Sequence, residues 1–184
     1  MRPVSHDAWT DPVPDVREGT SDDRSRFRSA DPDLDRFFLR FAGQNQFRHH
    51  IGVTYVAVAG GTLLGYLTVS ASSLRSAEIP DRVRSSLPGY PIPVLRVARL
   101  AVDEHAKACG DGSTLLRFAL GLAREMARRF GCAGVVVDAK VGAVAFYVRF
   151  GFAPLAGVRG ALGERPAPVP LFLPVDMAPT ASDA

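Results

Sequence analysis

The first regular pattern along the chain is an amphipathic helix that follows a polar leader. Residues 1–24 are rich in proline, aspartate and serine and predict mostly loop, with a candidate short strand near Val16–Gly19. Asp31 is a favourable N-cap, and the proline directly after it suits the first helical position. Apolar residues then recur at helical spacing to about Gln46. These features predict that a folded domain begins after the leader.

Three apolar runs rich in β-branched and aromatic residues follow this helix. Residues 54–60 and 61–71 meet at two glycines and predict a hairpin. Residues 94–103 predict a third strand. Residues 76–87, which lie between the second and third runs, predict a short helix.

The second half of the chain alternates between helical and strand patterns. After a glycine loop, one helix presents an apolar face of Leu115, Ala119, Leu122, Met126 and Phe130. The continuous apolar run 132–139 predicts a central strand that is covered on both faces. A short helix over 142–150 ends at Gly151. The run 167–175 predicts a last strand, which Pro170 and Pro174 place at an edge or make irregular.

This order of elements predicts an α/β domain with a mixed sheet. The domain spans residues 25–176, between a partly disordered leader over 1–24 and a tail over 177–184. A hydrophobic share of 47% in 184 residues suits one domain with one core. No run of 18 apolar residues and no signal-peptide pattern are present, so we expect a cytoplasmic protein that does not contact membranes.

Charge is distributed unevenly along the chain. Residues 1–35 carry nine acids against five arginines, a formal charge of −4, while the rest carries 17 basic against 10 acidic residues, or +7. A basic body attracts polyanions such as a phosphorylated cofactor or nucleic acid, although a solvated arginine surface has the same composition. The two cysteines and four histidines show no metal-ligand spacing, so we expect neither a metal site nor a disulfide.

A glycine loop between the third strand and the next helix is the strongest candidate binding site. Gly110 and Gly112 allow the backbone to approach a ligand closely, and the helix start leaves amide N–H groups unpaired. Such N–H groups at the positive end of a helix dipole favour an anion, usually phosphate.

Two motifs around this loop resemble those of the GNAT acyltransferases. The run KACGDG, residues 107–112, stands where the family has Gln/Arg-x-x-Gly-x-Gly/Ala. The run AVAFYVRFGF, residues 143–152, stands where the family has Ala-x-x-Leu/Phe-Tyr-x-x-x-Gly-Phe. Both follow the strand VLRVARLAVD in the family's order and separation. The resemblance covers about residues 25–176 and implies the GNAT fold, a central, mostly antiparallel twisted sheet with helices on both faces.

The GNAT resemblance also implies acetyl-coenzyme A as cosubstrate and no metal. In the family, the strand backbone pairs with the pantetheine arm and the loop amides hold the pyrophosphate. Tyr147 stands where the family has a tyrosine that protonates the departing thiolate, and an ordinary pKa of about 10 suits that step. The cofactor-binding residues implied are Leu100, Ala101, Val102, Lys107, Ala108, Cys109, Gly110, Asp111, Gly112 and Ser113.

Within the family, the chain looks most like the toxin–antitoxin branch that acetylates the α-amine of aminoacyl-tRNA. The likeness includes the run FRSADPDLDRFFLRFAGQNQ, in which Ser29 and Ala30 stand where the branch has Cys-Gly. It implies aminoacyl-tRNA as acceptor, a small DNA-binding antitoxin as partner and a homodimer. Arg96 and Arg99 are the first candidates for tRNA contact. Outer candidates are Arg36, Arg40, Arg48, Arg75, Arg82 and Arg84.

Two other functions fit the same motifs. The chain could acetylate a small-molecule or protein amine, with the basic surface incidental. It could also be a non-catalytic module that binds acyl-coenzyme A or a protein, since Lys107 and Asp111 depart from the family's loop pattern and Lys140 stands where many members have asparagine. Fold likeness alone does not choose among acceptors.

Overall fold

A single sheet organises the part of the chain that the computed structural model describes, residues 15–19, 22–79, 89–106, 110–155 and 167–178. Its strands are β1 Asp15–Glu18, β2 Val53–Ala59, β3 Thr62–Leu74, β4 Ile92–Val102, β5 Gly134–Ala139, β6 Ala153–Pro154 and β7 Val169–Pro174. The α-helices are α1 Pro32–Arg40, α2 Asp111–Arg129 and α3 Val144–Val148. The strands lie side by side in the order β1-β2-β3-β4-β5-β7-β6.

Neighbouring strands of this sheet pair antiparallel except for β4 and β5, which are parallel. A parallel pair needs a crossover connection, and α2 provides it. The hairpin between β2 and β3 turns at Gly60 and Gly61, which both have positive φ. The prediction of a mixed, mostly antiparallel sheet is therefore confirmed.

Helices cover both faces of the sheet. On one face, α2 packs Leu115 and Leu120 into the core cluster that contains Leu67. On the other face, the ring of Phe38 in α1 stacks on Tyr66 with 4.2 Å between ring centroids. Successive strand residues point to opposite faces, so Tyr66 and Leu67 belong to different layers. The expected arrangement of helices on both faces is confirmed.

The prediction of an edge position for the last strand is wrong. β7 lies between β5 and β6, and β6 forms the edge. The two prolines are tolerated because β6 pairs only with Leu171 and Phe172, which lie between Pro170 and Pro174. The missing N–H groups of these prolines therefore interrupt no pair between β6 and β7.

Two helical expectations also need correction. Phe130, expected on the apolar face of α2, is 75% exposed, because the helix ends at Arg129 and Phe130 leaves the helical conformation with φ −151°. The first helix ends at Arg40 rather than near residue 46, and a π-helical segment follows over Gln44–Arg48. Of the short helix expected over 76–87, the structure shows a 3₁₀ turn, Ser76–Glu78, and residues 80–88 lie outside the described residues.

The turn before α1 directs this helix toward the centre of the sheet. Ala30 adopts the left-handed conformation, φ 65°, which costs a residue other than glycine about 1 kcal/mol. This conformation explains why glycine suits the corresponding position in the similar branch. Ser29 Oγ donates to Asp35 Oδ1 at 2.6 Å, and Asp31 Oδ1 accepts from the N–H groups of Asp33 and Leu34. The predicted N-cap is confirmed.

Candidate active site

A cleft opens where β4 and β5 separate at their carboxyl ends. Their last pair is Val97 with Val137, while β4 continues to Val102 and β5 to Ala139. Ala98 is unpaired in a β-bulge, and a bulge bends its strand at this point. The resulting cavity has a volume of about 680 Å³ and is lined by the diverging strands, α1 and the start of α3.

Beyond Val97, the backbone N–H and C=O groups of β4 point alternately toward β3 and toward the cleft. The N–H of Asp103 donates to the carbonyl of Leu64 in β3 at 2.8 Å. Because alternate residues of a strand direct their backbone groups to opposite neighbours, Ala101 also faces β3, whereas Leu100 and Val102 face the cleft. Leu100, Ala101 and Val102, which are all predicted to bind the cofactor, line the cavity.

The start of α2 lies at the end of β4. Gly110 takes a left-handed conformation, φ 79°, as the N-cap of α2. A Cβ on Gly112 would lie 3.4 Å from Val102 Cγ2, so the first turn of α2 approaches the end of β4 closely. The predicted loop residues Gly110 to Ser113 therefore adjoin the strand predicted to hold the pantetheine arm. Lys107, Ala108 and Cys109 lie outside the described residues.

Tyr147 projects from α3 into the same cleft. Only 6% of the residue is exposed, and its ring packs edge-on against Phe146 and Phe152. Burial raises the pKa of the Tyr147 hydroxyl to about 12, not the ordinary value expected from the sequence. The hydroxyl therefore stays protonated at neutral pH and can act only as a proton donor there.

The two arginines predicted to contact tRNA have different surroundings. Arg96 Nη1 lies 2.5 Å from Asp138 Oδ2, so its charge is neutralised within the protein. Arg99 donates to the carbonyl of Ala98 at 2.7 Å and lies over the ring of Phe37, 5.1 Å from its centroid. Among the described residues, Arg99 has no carboxylate partner. It is therefore the better of the two for binding an anion.

Sequence analysis did not assign four other charged residues to the acceptor, although they also line the cleft: Asp31, Asp33, Asp138 and Lys140. Lys140, at the end of β5, forms an ion pair with the N-cap Asp31 at 2.8 Å. Asp138 also lines the cleft, beside Arg96. The run of apolar residues before Asp138 is the one sequence signal for it, because a carboxylate that ends a buried strand stands out. The pairing of Asp31 with Lys140 has no local signal.

The outer arginine candidates are mostly occupied or remote. Arg36 pairs with Asp33 at 2.8 Å. Arg75 lies outside the cleft, where it pairs with Glu78 at 3.0 Å. Arg40 and Arg48 are exposed, and Arg82 and Arg84 lie outside the described residues.

Comparison with known proteins identifies the family. The sequence profile of the Acetyltransferase (GNAT) family matches residues 13–152, most of the chain. The chain belongs to the GNAT acetyltransferase family. The family assignment makes acetyl-coenzyme A the acetyl donor of this enzyme.

Two relatives of this GNAT acetyltransferase are named as toxins. The tRNA-acetylating toxin of Mycobacterium tuberculosis is 34% identical over 137 residues, which cover 74% of this chain and 81% of the relative. The probable toxin TacT of Sinorhizobium fredii is 27% identical over 164 residues, covering 83% and 85% of the two chains.

Solved structures of toxins share the fold of this acetyltransferase. AtaT complexed with acetyl-methionyl-tRNAfMet has a TM-score of 0.76 and 26% identity, covering 89% of this chain and 95% of AtaT. AtaTR bound with acetyl-coenzyme A has a TM-score of 0.71 and 26% identity, covering 89% and 95%. A tyrosine-to-phenylalanine mutant of KacT has a TM-score of 0.76 and 25% identity, covering 89% and 96%.

The described residues of this GNAT enzyme suit acetyl-coenzyme A. The unpaired backbone of Leu100 and Val102 offers an edge with which an extended arm can pair. The glycine at position 112 keeps the first turn of α2 free of a side chain beside that edge. Among the described residues, no helix is both long and apolar enough to cross a membrane, and no cluster of His, Cys, Asp or Glu could hold a metal ion.

Asp111 is the departure from the loop pattern that the structure clarifies. It lies in the first turn of α2, is 2% exposed, and its Oδ2 atom is buried without a hydrogen-bond partner among the described residues. Burial raises the pKa of this carboxyl group above its ordinary value.

We expect the Asp111→Asn variant to be more stable than the wild type at pH 7. Because folding raises the pKa of Asp111, the folded protein holds this proton more tightly than the unfolded chain does. Its free energy of unfolding therefore falls as pH rises above about 3.9, and the neutral variant lacks this loss. Thermal unfolding between pH 4 and pH 8 should show a difference in Tm that grows with pH. Asp33→Asn, in the exposed first turn of α1, is the control, and an equal gain there would contradict the explanation.

Proposed function

We propose that this acetyltransferase transfers the acetyl group of acetyl-coenzyme A to the α-amine of aminoacyl-tRNA. The observation that carries the proposal is the cleft itself, which is lined by Tyr147, by the backbone edge of β4 and by Arg99, a guanidinium without a carboxylate partner in the part of the chain that the structure describes. Relatives named as a tRNA-acetylating toxin and as AtaT with acetyl-methionyl-tRNAfMet support this acceptor.

The proposed chemistry needs few protein groups. Acetyl-coenzyme A supplies an activated thioester, and the neutral amine attacks its carbonyl carbon, so that a C–N bond forms as the C–S bond breaks. A backbone N–H of β4 that faces the cleft, at Leu100 or Val102, would stabilise the negative charge on the carbonyl oxygen. Tyr147 would donate its proton to the departing sulfur, and the amine would lose a proton to water.

The raised pKa of Tyr147 is compatible with this role. A thiol has an ordinary pKa of about 8.5 and a tyrosine one of about 10, so proton transfer from a tyrosine to a thiolate in water is only slightly uphill. The same burial that raises the pKa of Tyr147 disfavours a thiolate anion in the cleft. The pKa values of the donor and of the acceptor therefore rise together, and proton transfer stays feasible.

Arg99 would bind a phosphate near the 3′ end of the acceptor. Its cation is held over Phe37 without a carboxylate partner among the described residues, so a phosphate would not have to displace an internal ion pair. Arg96 would instead hold Asp138 in place between β4 and β5. This division predicts that the two arginines contribute differently to acceptor binding.

The direct test is transfer of radiolabelled acetyl from acetyl-coenzyme A to a pool of charged tRNA, with uncharged tRNA as control. We expect label on charged tRNA alone. In Arg99→Ala, the KM for charged tRNA should rise about tenfold, the loss of one charge-assisted contact, while the KM for acetyl-coenzyme A stays unchanged. The slope of the logarithm of tRNA affinity against the logarithm of salt concentration should fall in magnitude by about one.

Arg75→Ala removes the same charge outside the cleft and should leave both KM values unchanged. Label on small amines or on protein N-termini, with none on charged tRNA, would contradict the proposal and favour the alternative acceptors. Absence of any transfer, together with no rise in Tm on addition of acetyl-coenzyme A, would favour a non-catalytic module.

We also propose a cytoplasmic toxin with a cognate antitoxin, since aminoacyl-tRNA and acetyl-coenzyme A meet in that compartment. Support comes from the similar KacTA–DNA complex, which has a TM-score of 0.67 and 25% identity. The homodimer implied by the resemblance stays a prediction, which sedimentation of the purified protein would test.

A further inference from the structure

An ion pair between distant parts of the chain spans one side of the cleft. Lys140 Nζ lies 2.8 Å from Asp31 Oδ2, although the two residues are 109 positions apart. Lys140 directly follows β5 on one side, and Asp31 is the N-cap of α1 on the other. Both residues line the cavity that also contains Arg99 and Tyr147. An acceptor that enters beside α1 therefore meets this pair.

The pair is not what holds α1 in place. Phe38 is fully buried against the sheet, and the Tyr66 hydroxyl donates to the carbonyl of Leu34 at 2.9 Å. Asp31 caps the helix with its other carboxylate oxygen, Oδ1, which accepts from two backbone N–H groups. The helix keeps its core contacts and its cap if Lys140 moves away.

The pair is also accessible enough to exchange partners. The side chain of Lys140 is 47% exposed and that of Asp31 is 24% exposed. Exposed ion pairs contribute little net free energy because both charges remain well hydrated. A phosphodiester carries one negative charge on two non-bridging oxygens, as a carboxylate does, so it can replace the carboxylate as the partner of a lysine ammonium. The flexible lysine stem allows the ammonium to turn toward such a ligand.

We propose that Lys140, which pairs with Asp31 before the acceptor binds, contacts a phosphate of the acceptor in the complex. When an acceptor brings a phosphate into the cleft, Lys140 leaves Asp31 and pairs with that phosphate. An acceptor without an anionic group leaves the pair closed and gains nothing from Lys140. The ion pair therefore favours anionic acceptors over neutral ones. That the anionic acceptor is RNA rests on the proposed function.

Two variants separate this role from a purely structural one. Asn caps a helix as well as Asp, so Asp31→Asn keeps the cap and removes the competing charge. Lys140→Met removes the ammonium and keeps the length of the side chain. If the pair only supported the structure, breaking it from either side would change acceptor binding in the same direction. If Lys140 exchanges Asp31 for a phosphate, Asp31→Asn strengthens acceptor binding and Lys140→Met weakens it.

The experiment measures binding of a fluorescent RNA oligonucleotide ending in CCA, by anisotropy, without acetyl-coenzyme A. We expect Asp31→Asn to lower the Kd about two- to fivefold, since the competing ion pair is weak. We expect Lys140→Met to raise the Kd about fivefold and to reduce the salt slope by about one. Lys140→Arg, which keeps the charge, should bind within about twofold of the wild type.

Glu104→Gln is the control for charge alone, because Glu104 is exposed and does not line the cavity. It should leave the Kd unchanged. Shifts of the same sign in Asp31→Asn and Lys140→Met, no shift in either, or no RNA binding by the wild type would overturn the inference. The labelled-acetyl assay tests the proposed function separately, so transfer to charged tRNA together with same-sign shifts would reject this inference alone.

Discussion

Replacing Tyr147 with phenylalanine should lower kcat for acetyl transfer by about 10²- to 10⁴-fold, the usual contribution of a general acid. The variant loses one hydroxyl group and keeps the ring that packs against Phe146 and Phe152. Binding of acetyl-coenzyme A, measured by calorimetry, should therefore stay within about twofold of the wild type. The loss would lie in proton donation to sulfur and not in assembly of the cleft.

The matched control is Tyr55→Phe, which makes the same change at a tyrosine that packs on Phe118 and does not line the cavity. Its kcat should be unchanged. Since burial raises the pKa of Tyr147 to about 12, the wild-type rate should show no alkaline decline from this group between pH 6 and pH 9. An unchanged kcat in Tyr147→Phe would show that the thiolate leaves without a proton from this residue.

Replacing Gly134 with alanine should lower the free energy of unfolding by about 3 kcal/mol, at the upper end of the usual cost of overpacking. A Cβ at this first residue of β5 would lie 2.3 Å from the carbonyl oxygen of Leu173 and 2.6 Å from the ring of Phe172. The oxygen belongs to the neighbouring strand, so it cannot move without disturbing the β5–β7 pairing. Urea unfolding, followed by circular dichroism, measures the change.

Gly121→Ala makes the same substitution where no atom lies within 4 Å of the new Cβ. Because Gly121 lies inside α2, alanine there should raise the free energy of unfolding by about 0.5–1 kcal/mol. Opposite signs at the two glycines would confirm that contact with Leu173 and Phe172 causes the loss. Equal stability of Gly134→Ala and the wild type would mean that β5 and β7 can separate at little cost.

Local sequence was sufficient for most of the secondary structure and for the family. The N-cap at Asp31 and the turn at Gly60 and Gly61 were predicted correctly, because capping and turn formation depend on residues within one or two turns of the chain. The GNAT motifs lie within short runs for a similar reason. Each of the two runs, 107–112 and 143–152, needs only a fixed spacing within itself to be recognised.

The edge assignment of β7 and the exposure of Phe130 were wrong because each depends on what lies beside the segment. A strand with prolines can lie inside a sheet if the neighbour on the side of the missing N–H groups is short, and β6 is two residues long. Phe130 continues the apolar periodicity of α2, but the helix stops one residue before it. Periodicity predicts a face and does not predict where the face ends.

The ion pairs of the cleft and the raised pKa of Tyr147 depend on tertiary structure. Arg96 and Arg99 stand three positions apart on one strand, yet of the two only Arg96 meets a carboxylate among the described residues, because β5 brings Asp138 beside it and then diverges. Lys140 and Asp31 meet although they are 109 positions apart, and the pKa of Tyr147 is raised by the residues that bury it. Ion pairing and desolvation depend on distances between segments that are remote in sequence, and no local pattern records those distances.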